Sequence, residues 1–504
     1  MTVFRSVMLA SAATALALVT AGASAQTLQV ATDQSPVGLD RHVATAFSTT
    51  LITGPIYEGL TATDSGLQVI PALAESWTVS EDGLTYVFTL RDGVTFHDGS
   101  ALDAADVVAT FTRVQDEATG SPLASRIDMV ENVEATGDTE VTLTLSTPAA
   151  ALLSELTTVV IVPSEVADGS SDVDLQRQPV GTGPFQFGEW VPDTYIELTA
   201  FADYWDSELP LVEAVRFNIV PEASTRQVGL STGTYDMLPN IDSATAVTLQ
   251  ATPNVTLLQT ADLAYSLIGM NVAEAPFDDP AVRAAVNMGI NRDQLVEAVY
   301  FGQAEPGGPL SPALEEWALP VAEFNCYGGD PAAAQQMLAE AGYTDPVAFT
   351  INVLGSLQTV VDAAQVVQAQ LNEAGFDVTL NVQEQGTFVQ DWRNSNFQAF
   401  ASLNGGRTDP DGYLYRTFHS GGSTNVFNYA DAQVDEWLEA GRSAVDPSER
   451  EAIYAQLQET LACEGPIAHL AYGDLYTATT EGVEGYEVVG DRSTRYLRQT
   501  SVAQ

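Results

Sequence analysis

Residues 349–382 follow the pattern of a strand, a helix and a second strand. Phe349–Val353 is predicted as the first strand, Val360–Ala374 as a helix that stops at Gly375, and Phe376–Val382 as the returning strand. Two strands joined through a helix in this way lie parallel in one sheet, with a right-handed crossover. The C-terminal half of the chain is therefore predicted to have an α/β fold.

Strands and helices alternate through the rest of the chain, without an internal repeat or a low-complexity linker. Leu84–Leu90 and Val141–Leu145 alternate apolar and polar residues, as expected of strands with one buried face. The helix predicted between them has Asp103 as its N-cap. Two later helices are predicted to begin at Asp330-Pro331 and Asp446-Pro447, because an Asp cap followed by proline is typical of a helix start.

The chain carries 67 acidic residues against 18 Lys and Arg, and all 18 are arginine. Without lysine it cannot form a Walker-type phosphate loop or the Schiff base of pyridoxal chemistry. Its formal net charge of -49 repels the phosphate backbone of nucleic acids, so no nucleic-acid partner is expected. With 45% hydrophobic residues the chain can fill large cores, and the acidic residues are expected to coat a globular protein.

The N-terminus has the pattern of a secretory signal. Arg5 precedes the apolar run Val7–Val19, and the small residues Ala23-Ser24-Ala25 follow it, so the mature chain is expected to begin at Gln26. The alternative, a membrane anchor, is disfavoured because the run is shorter than the ~20 residues that span a bilayer. No cysteine precedes Cys326 that could be acylated as in lipoproteins. The protein is therefore predicted to be soluble and to act outside the cytoplasm.

The sequence contains no pattern typical of a metal centre or a catalytic site. The four histidines are scattered, and the two cysteines do not suffice for a zinc site without them. There is no GxSxG motif, and Gly181–Pro184 has the wrong spacing for a dinucleotide-binding loop and is interpreted as a turn. We therefore predict neither catalysis nor a cofactor.

Cys326 and Cys463 are the two cysteines of the chain. In an exported protein an even number of cysteines favours disulfide formation, and a disulfide between these two is predicted. Two buried thiols are the alternative.

Several segments resemble a single protein family. The most specific is Pro71–Phe111, PALAESWTVSEDGLTYVFTLRDGVTFHDGSALDAADVVATF. Others are IYEGL from Ile56, QPVGTGPFQF from Gln178 and GGRTDPDGYLYRTF from Gly405. From Ala31 to Tyr496 the chain resembles the extracytoplasmic solute-binding proteins of ABC importers, in the large peptide/opine/nickel-binding family (family 5).

The resemblance implies the α/β fold of type II periplasmic binding proteins, with two large lobes around a ligand cleft and the extra region typical of the family. After a signal peptide at residues 1–25, lobe I would comprise residues 26–69, 180–268 and 477–504, the extra region residues 70–179, and lobe II residues 269–476. It further implies a periplasmic monomer that binds a small molecule or short peptide and delivers it to an ABC permease of the inner membrane.

One loop is singled out both by the residues and by the resemblance. Phe397–Leu403 is predicted as a strand that ends in the sequence Asn-Gly-Gly-Arg. Ligands of α/β sheets bind at the carboxyl ends of parallel strands, and glycines there allow a ligand backbone to approach closely. The predicted ligand-contacting residues are Val37, Asn240, Leu403, Asn404, Gly405, Gly406, Arg407 and Asp409.

Within this loop the sequence departs from the dipeptide- and oligopeptide-binding pattern. Those relatives carry an Asp for the α-ammonium group of the ligand where this chain has Gly406. The neighbouring Arg407 is a partner for a carboxylate, and the alternative is a surface arginine paired with an acid such as Asp409. Nickel binders of the family carry a His close after the equivalent of Pro410, where this chain has Asp411.

The predicted function is capture of a peptide-like or carboxylate-bearing solute for an importer. The alternatives are a nickel-chelate or oligosaccharide receptor of the same family, or an extracytoplasmic chaperone that binds unfolded chains in the cleft. An exported hydrolase would need a nucleophile beside a base, and the isolated histidines argue against it.

The charge imbalance leads to a prediction about salt. Carboxylates at this density repel one another and destabilise the folded state, and at about 1 M salt a Debye length of ~3 Å screens neighbouring carboxylates. We expect a saline habitat and a melting temperature, measured by calorimetry, that rises from dilute buffer to molar NaCl. Chloride is used because sulfate also strengthens hydrophobic burial. An equal or lower melting temperature in molar NaCl would contradict the prediction.

Overall fold

The computed structural model describes residues 26–503, so the predicted signal peptide lies outside the described residues. These residues form nineteen strands. The strands are β1 (Thr27–Thr32), β2 (Thr61–Thr63), β3 (Val69–Pro71), β4 (Ala74–Val79), β5 (Thr85–Leu90), β6 (Val130–Ala135), β7 (Glu140–Leu145), β8 (Phe185–Val191), β9 (Tyr195–Ala200), β10 (Ala214–Ile219), β11 (Met237–Ile241), β12 (Val255–Met270), β13 (Ala304–Pro306), β14 (Val347–Leu354), β15 (Phe376–Gln383), β16 (Ala399–Asn404), β17 (Ile467–Thr480), β18 (Val483–Glu484) and β19 (Ser501–Val502).

The same residues form fourteen α-helices and three short 3-10 helices. The α-helices are α1 (Phe47–Thr53), α2 (Ala104–Gln115), α3 (Leu152–Glu155), α4 (Ser164–Ala167), α5 (Ala223–Ser231), α6 (Ser243–Gln250), α7 (Pro280–Gly289), α8 (Arg292–Tyr300), α9 (Pro331–Glu340), α10 (Gln358–Glu373), α11 (Gln385–Arg393), α12 (Pro410–Phe418), α13 (Ala432–Ser443) and α14 (Pro447–Glu464). The 3-10 helices are Ala124–Arg126, Val321–Glu323 and Arg495–Gln499.

Eleven strands form one large mixed sheet. Ten of them follow the order β15-β14-β16-β12-β17-β11-β1-β10-β9-β8, and β13 pairs with β17. The long strands β12 and β17 pair antiparallel at the centre, from Val255 opposite Thr480 to Gly269 opposite Ile467. They join the half of the sheet that holds β14–β16 to the half that holds β1 and β8–β10. The predicted boundaries between the lobes fall within these two strands, and the boundaries themselves remain predictions.

The predicted strand, helix and strand unit is confirmed. β14 and β15 pair in parallel from Val347 opposite Phe376 to Leu354 opposite Gln383, and α10 connects them. α10 buries its apolar face against this part of the sheet, because residues such as Val367 recur at helical spacing. β16 also pairs in parallel with β14. The loop after β16 therefore leaves the carboxyl end of a parallel strand, as predicted.

A second sheet has its own hydrophobic core. It is antiparallel, in the order β4-β5-β7-β6, and α2 packs over it. The predicted N-cap of α2 is confirmed: the Asp103 side chain accepts from the backbone of Ala105, and Asp106 completes a capping box. Phe88 of β5 and Phe111 of α2 are both buried in the shared core.

The two cysteines are joined in a disulfide in this structure. Cys463 lies in the last turn of α14, and Cys326 lies beyond the 3-10 helix Val321–Glu323. Around them Phe324 and Ala462 form a small buried cluster. The bond therefore ties the segment before α9 to the last turn of α14.

The disulfide generates a prediction about stability. The two residues are 137 apart in sequence, and closing a loop of that length in the unfolded chain is worth about 5 kcal/mol by chain entropy. We expect no free thiol in the denatured, unreduced mature protein, and a lower urea midpoint for the Cys326→Ala/Cys463→Ala variant. Two titratable thiols per chain would exclude the bond in the isolated protein.

Candidate ligand-binding cavity

A cavity of about 410 Å³ lies where several parts of the chain meet. Its walls include the segment around α1 and β2, residues 154–160, residues 262–264, the loop 405–408 after β16, and residues 490–498 near the C-terminus. Single residues such as Arg91, Arg126 and Trp205 complete them. One contact joins two of these walls directly: the hydroxyl oxygens of Ser154 and Thr408 are 2.5 Å apart. The loop after β16 thus meets the segment after β7 at one side of the cavity.

Arginines are concentrated in the walls of this cavity. Seven arginines and four acidic residues line it, although acidic residues outnumber arginines 67 to 18 in the whole sequence. The arginines are Arg41, Arg91, Arg126, Arg407, Arg492, Arg495 and Arg498. The acidic residues are Glu58, Glu155, Asp262 and Asp491. The cavity therefore holds an excess of positive charge inside a strongly negative protein.

The predicted loop contributes Gly405, Gly406 and Arg407 to the walls. Glycine is required at residue 406, because a Cβ there would collide with the carbonyl oxygen of Leu263 and the hydroxyl of Tyr413. That hydroxyl itself donates to the Leu263 carbonyl oxygen at 2.7 Å. Packing against Leu263 and Tyr413 thus explains why residue 406 has no acidic side chain. As a result, no carboxylate at this position opposes the positive charge of Arg407.

Arg407 is half-buried in the cavity wall. Its Nη1 donates to the carbonyl oxygen of Gly406 at 3.0 Å. No carboxylate of residues 26–503 lies within 4.0 Å of its guanidinium group. Arg407 is therefore not the surface arginine paired with Asp409 that the sequence left as an alternative, and its remaining donors are available to a ligand.

Asp409 has a structural role instead of lining the cavity. Its carboxylate accepts hydrogen bonds from both Nη atoms of Arg450, at 2.8 and 3.1 Å. It also caps α12 by accepting from the backbone N–H of Asp411 at 2.9 Å. Asp409 and Arg450 are 9% and 6% exposed, so the ion pair is buried.

The other four predicted ligand contacts also lie outside the cavity walls. Leu403 and Asn404 are the last residues of β16, and Asn404 Nδ2 donates to the hydroxyl of Tyr265 at 2.8 Å. Asn240 lies in β11 with a φ of 53°. Val37 is 73% exposed in the loop before α1.

Like charges crowd one part of the cavity. The pKa of Arg126 is lowered to about 9. Burial is the main cause, and repulsion from the guanidinium groups of Arg407, Arg416 and Arg41 adds to it. Burial lowers the pKa of Arg41 to about 10. Glu155 offers partial compensation, with its Oε2 3.9 Å from Arg126 Nε. A bound anion would relieve this repulsion, because opposite charge favours the charged form of a guanidinium.

Glu58 organises another part of the cavity with neutral donors. Its carboxylate accepts from the hydroxyl of Tyr204 at 3.0 Å and from the hydroxyl of Thr182 at 3.0 Å. The indole N–H of Trp205 donates to it at 3.1 Å. Burial raises the pKa of Glu58, and these hydrogen bonds oppose that rise. Its lone pairs are therefore largely occupied by groups of the protein.

The family model of bacterial extracellular solute-binding proteins, family 5 Middle, matches residues 68–425, which is more than half of the chain. The chain belongs to this family. The glutathione-binding protein GsiB of Pectobacterium atrosepticum is 27% identical to it over 505 residues, with 97% of each chain covered.

Two solved structures of similar proteins share the fold of this family-5 chain. The oligopeptide-binding protein AppA from Bacillus subtilis, in complex with a nonapeptide, is 27% identical with a TM-score of 0.81, covering 95% of this chain and 99% of its own. The periplasmic binding protein DppA from Helicobacter pylori, in complex with the peptide STSA, is 27% identical with a TM-score of 0.83, covering 95% and 98%. The predicted fold class, that of type II periplasmic binding proteins, is thereby confirmed.

Two further properties concern the described part of this family-5 protein. Among residues 26–503, no helix combines the length and the apolar character needed to cross a membrane. The same residues contain no group of three or more His, Cys, Asp and Glu side chains placed to hold a metal ion.

The sequence prediction missed the arginines outside the loop. Arg41 and Arg126 lie far from Arg407 in sequence, and nothing local indicates that they share a cavity with it. A signal did exist for the C-terminal group, because residues 491–498, DRSTRYLR, place three arginines within seven residues. No other stretch of this acidic chain is as rich in positive charge.

The different surroundings of Arg450 and Arg407 generate a prediction about stability. Arg450→Ala would leave the buried carboxylate of Asp409 without its partner, which costs about 3–5 kcal/mol. Arg407→Ala is the matched control, since it removes the same side chain where no carboxylate lies within 4.0 Å. We expect a large fall in the free energy of unfolding of the ligand-free protein, measured in urea, for Arg450→Ala and a change below about 1 kcal/mol for Arg407→Ala. Equal losses would contradict these assignments.

Proposed function

We propose that this family-5 protein is the periplasmic binding component of an ABC importer and encloses a small, carboxylate-bearing, peptide-like solute in the arginine-lined cavity. The observation that carries the proposal is the placement of Arg407. It lines the cavity beside two glycines, and no carboxylate of the described residues neutralises it. A guanidinium presents a planar fork that matches a carboxylate, and the glycines leave room for hydrogen bonds to a ligand backbone.

The strongly negative charge of the protein does not prevent capture of an anion. Salt screens exposed charges beyond ~10 Å, so the acidic surface acts weakly at the cavity. An arginine that meets a carboxylate inside a closed cavity is little screened, and local pairing outweighs the distant acids. A volume of about 410 Å³ lies within the range of small-ligand pockets, roughly 300–1,000 Å³.

The relatives support a peptide-like ligand. GsiB is a glutathione-binding protein, and AppA and DppA are each seen with a bound peptide. Glutathione is itself a peptide-like molecule with carboxylates at both ends, so it suits a cavity lined by arginines. We therefore place glutathione and other acidic short peptides first among candidate solutes, with an opine or a related amino-acid conjugate as the next class.

The remaining parts of the proposal follow from the family. The protein would act as a monomer in the periplasm and hand its solute to a permease of the inner membrane. It would bind rather than transform the solute. A nickel-chelate receptor gains no support from residue 411, because the carboxylate of Asp411 is bound by Arg442 at 3.0 Å. An oligosaccharide receptor would not need the excess of arginines.

The proposal predicts how substitutions at residue 407 change affinity. Truncating one partner of a buried charged pair costs on the order of 2 to 5 kcal/mol, so Arg407→Ala should weaken binding of the co-purified solute at least roughly 30-fold. Arg407→Lys should recover part of the loss, because a point charge lacks the planar fork. Isothermal titration calorimetry with the solute and its amidated analogue measures both effects.

Arg393→Ala is the control for charge alone, since Arg393 is exposed at the end of α11 and away from the cavity. It should bind as tightly as the unmodified protein. Equal affinity for the solute and its amidated analogue, or unchanged affinity in Arg407→Ala, would remove the carboxylate assignment.

A further inference from the structure

A second group of arginines lines the cavity, and it comes from a different part of the chain than Arg407. Arg495 and Arg498 lie on the 3-10 helix Arg495–Gln499 near the C-terminus. Arg495 Nη1 donates to the carbonyl oxygen of Thr63 at 2.7 Å, and Arg498 Nη1 donates to the hydroxyl of Tyr204 at 3.2 Å. The two guanidinium groups are thus held by neutral acceptors of the protein.

Neither guanidinium forms a direct ion pair with an acid. Among residues 26–503, no carboxylate lies within 4.0 Å of Arg495 or Arg498. The Nε of Arg498 is buried and has no hydrogen-bond partner within the described structure. A buried donor without an acceptor costs free energy, and more so on a charged group. Burial and the charge of Arg498 also lower the pKa of Arg495.

Two acids of the cavity walls that attract this group, Glu58 and Asp491, accept hydrogen bonds from neutral donors. Glu58 accepts from Thr182, Tyr204 and Trp205, as described above. Asp491 accepts from the backbone N–H of Ser493 at 2.8 Å. Both carboxylates order the wall and attract the two arginines from more than 4.0 Å away, so neither forms a direct ion pair with them.

The charge of the whole cavity also favours a ligand with more than one acidic group. Seven guanidinium groups face four carboxylates, so a ligand with a single carboxylate at Arg407 would leave positive charge uncompensated in the cavity. Charges removed from water need partners, and uncompensated like charges repel strongly in a medium of low dielectric constant. A ligand with a second acidic group would satisfy both walls.

We infer that the solute is a dicarboxylic acid whose first carboxylate binds Arg407 and whose second carboxylate binds Arg495 and Arg498. This inference rests on the proposed function and makes it more specific. The protein would therefore select peptide-like solutes with two acidic groups over solutes of the same size with one. The planar guanidinium groups allow a carboxylate to accept two parallel hydrogen bonds.

The test uses pairs of probes that differ in one carboxylate, titrated into the mature full-length chain after removal of bound solute. The pairs are glutathione with its glycine amide, and the dipeptide Ala-Glu with Ala-Gln. For at least one pair the diacid should bind roughly 10-fold or more tightly than the amide, because a charge-assisted contact is lost with the second carboxylate. The comparison of each diacid with its amide uses the unmodified protein, so it does not depend on the folding of any variant.

The variants assign the second contact. In Arg495→Gln and Arg498→Gln, the diacid and its amide should bind within about 3-fold of each other, because an arginine that binds the second carboxylate has been removed. In Arg407→Gln both probes should weaken, yet the preference for the diacid should remain. Arg393→Gln, at an exposed position away from the cavity, should retain the full preference.

Several results would overturn the inference. It fails if each amide binds as tightly as its diacid, if the preference survives in Arg495→Gln and Arg498→Gln, or if neither diacid binds while the co-purified solute does. In each of these cases an Arg407-dependent affinity for some solute would leave the proposed function standing. If no solute binds saturably and one-to-one, the proposed function fails as well.

Discussion

Removing a guanidinium group from water is costly unless an anion or another acceptor meets it, and this requirement decides where the arginines of the protein lie. Arg450 is bound by Asp409 inside a buried ion pair. Arg292 donates to the carbonyl oxygen of His469 at 2.7 Å and lies over the ring of Tyr327. Among the cavity arginines, Arg492 is paired with Asp262, whereas Arg407, Arg495 and Arg498 have no carboxylate of residues 26–503 within 4.0 Å, although acids outnumber arginines in the chain. Their excess charge is therefore a property of the site, which a bound anion would balance.

The fold holds the two groups of cavity arginines from independent supports. The loop of Arg407 follows β16, which is fixed in the large sheet between β12 and β14. The C-terminal group is held by residues that are far away in sequence. The hydroxyl of Thr494 donates to the carbonyl oxygen of Leu51 at 3.0 Å, and Arg495 donates to the carbonyl oxygen of Thr63. β12 and β17 run through both halves of the sheet and connect the two supports. A solute that bridges the two groups would stabilise the arrangement that holds them together.

The sequence predicted the elements whose signals are local. The unit formed by β14, α10 and β15 was recognised because periodic apolar residues and Gly375 mark it within one short stretch. Asp409 was predicted as a ligand contact, and its role as the N-cap of α12 was missed. Asp409-Pro410 has the same form as the Asp-Pro helix starts that were recognised elsewhere, so an N-cap was the simpler interpretation. The C-terminal arginines could not be placed in the cavity from sequence, since Arg495 contacts a residue 432 positions away. Contacts of that range depend on the assembled sheet rather than on any local pattern.

A crystal structure of the protein purified together with its natural solute would show which chemical group meets Arg407. We expect a solute inside the cavity with a carboxylate oxygen about 2.7–2.9 Å from the guanidinium group of Arg407. A solute bound elsewhere, or a solute in the cavity that presents no acidic group to Arg407, would contradict it.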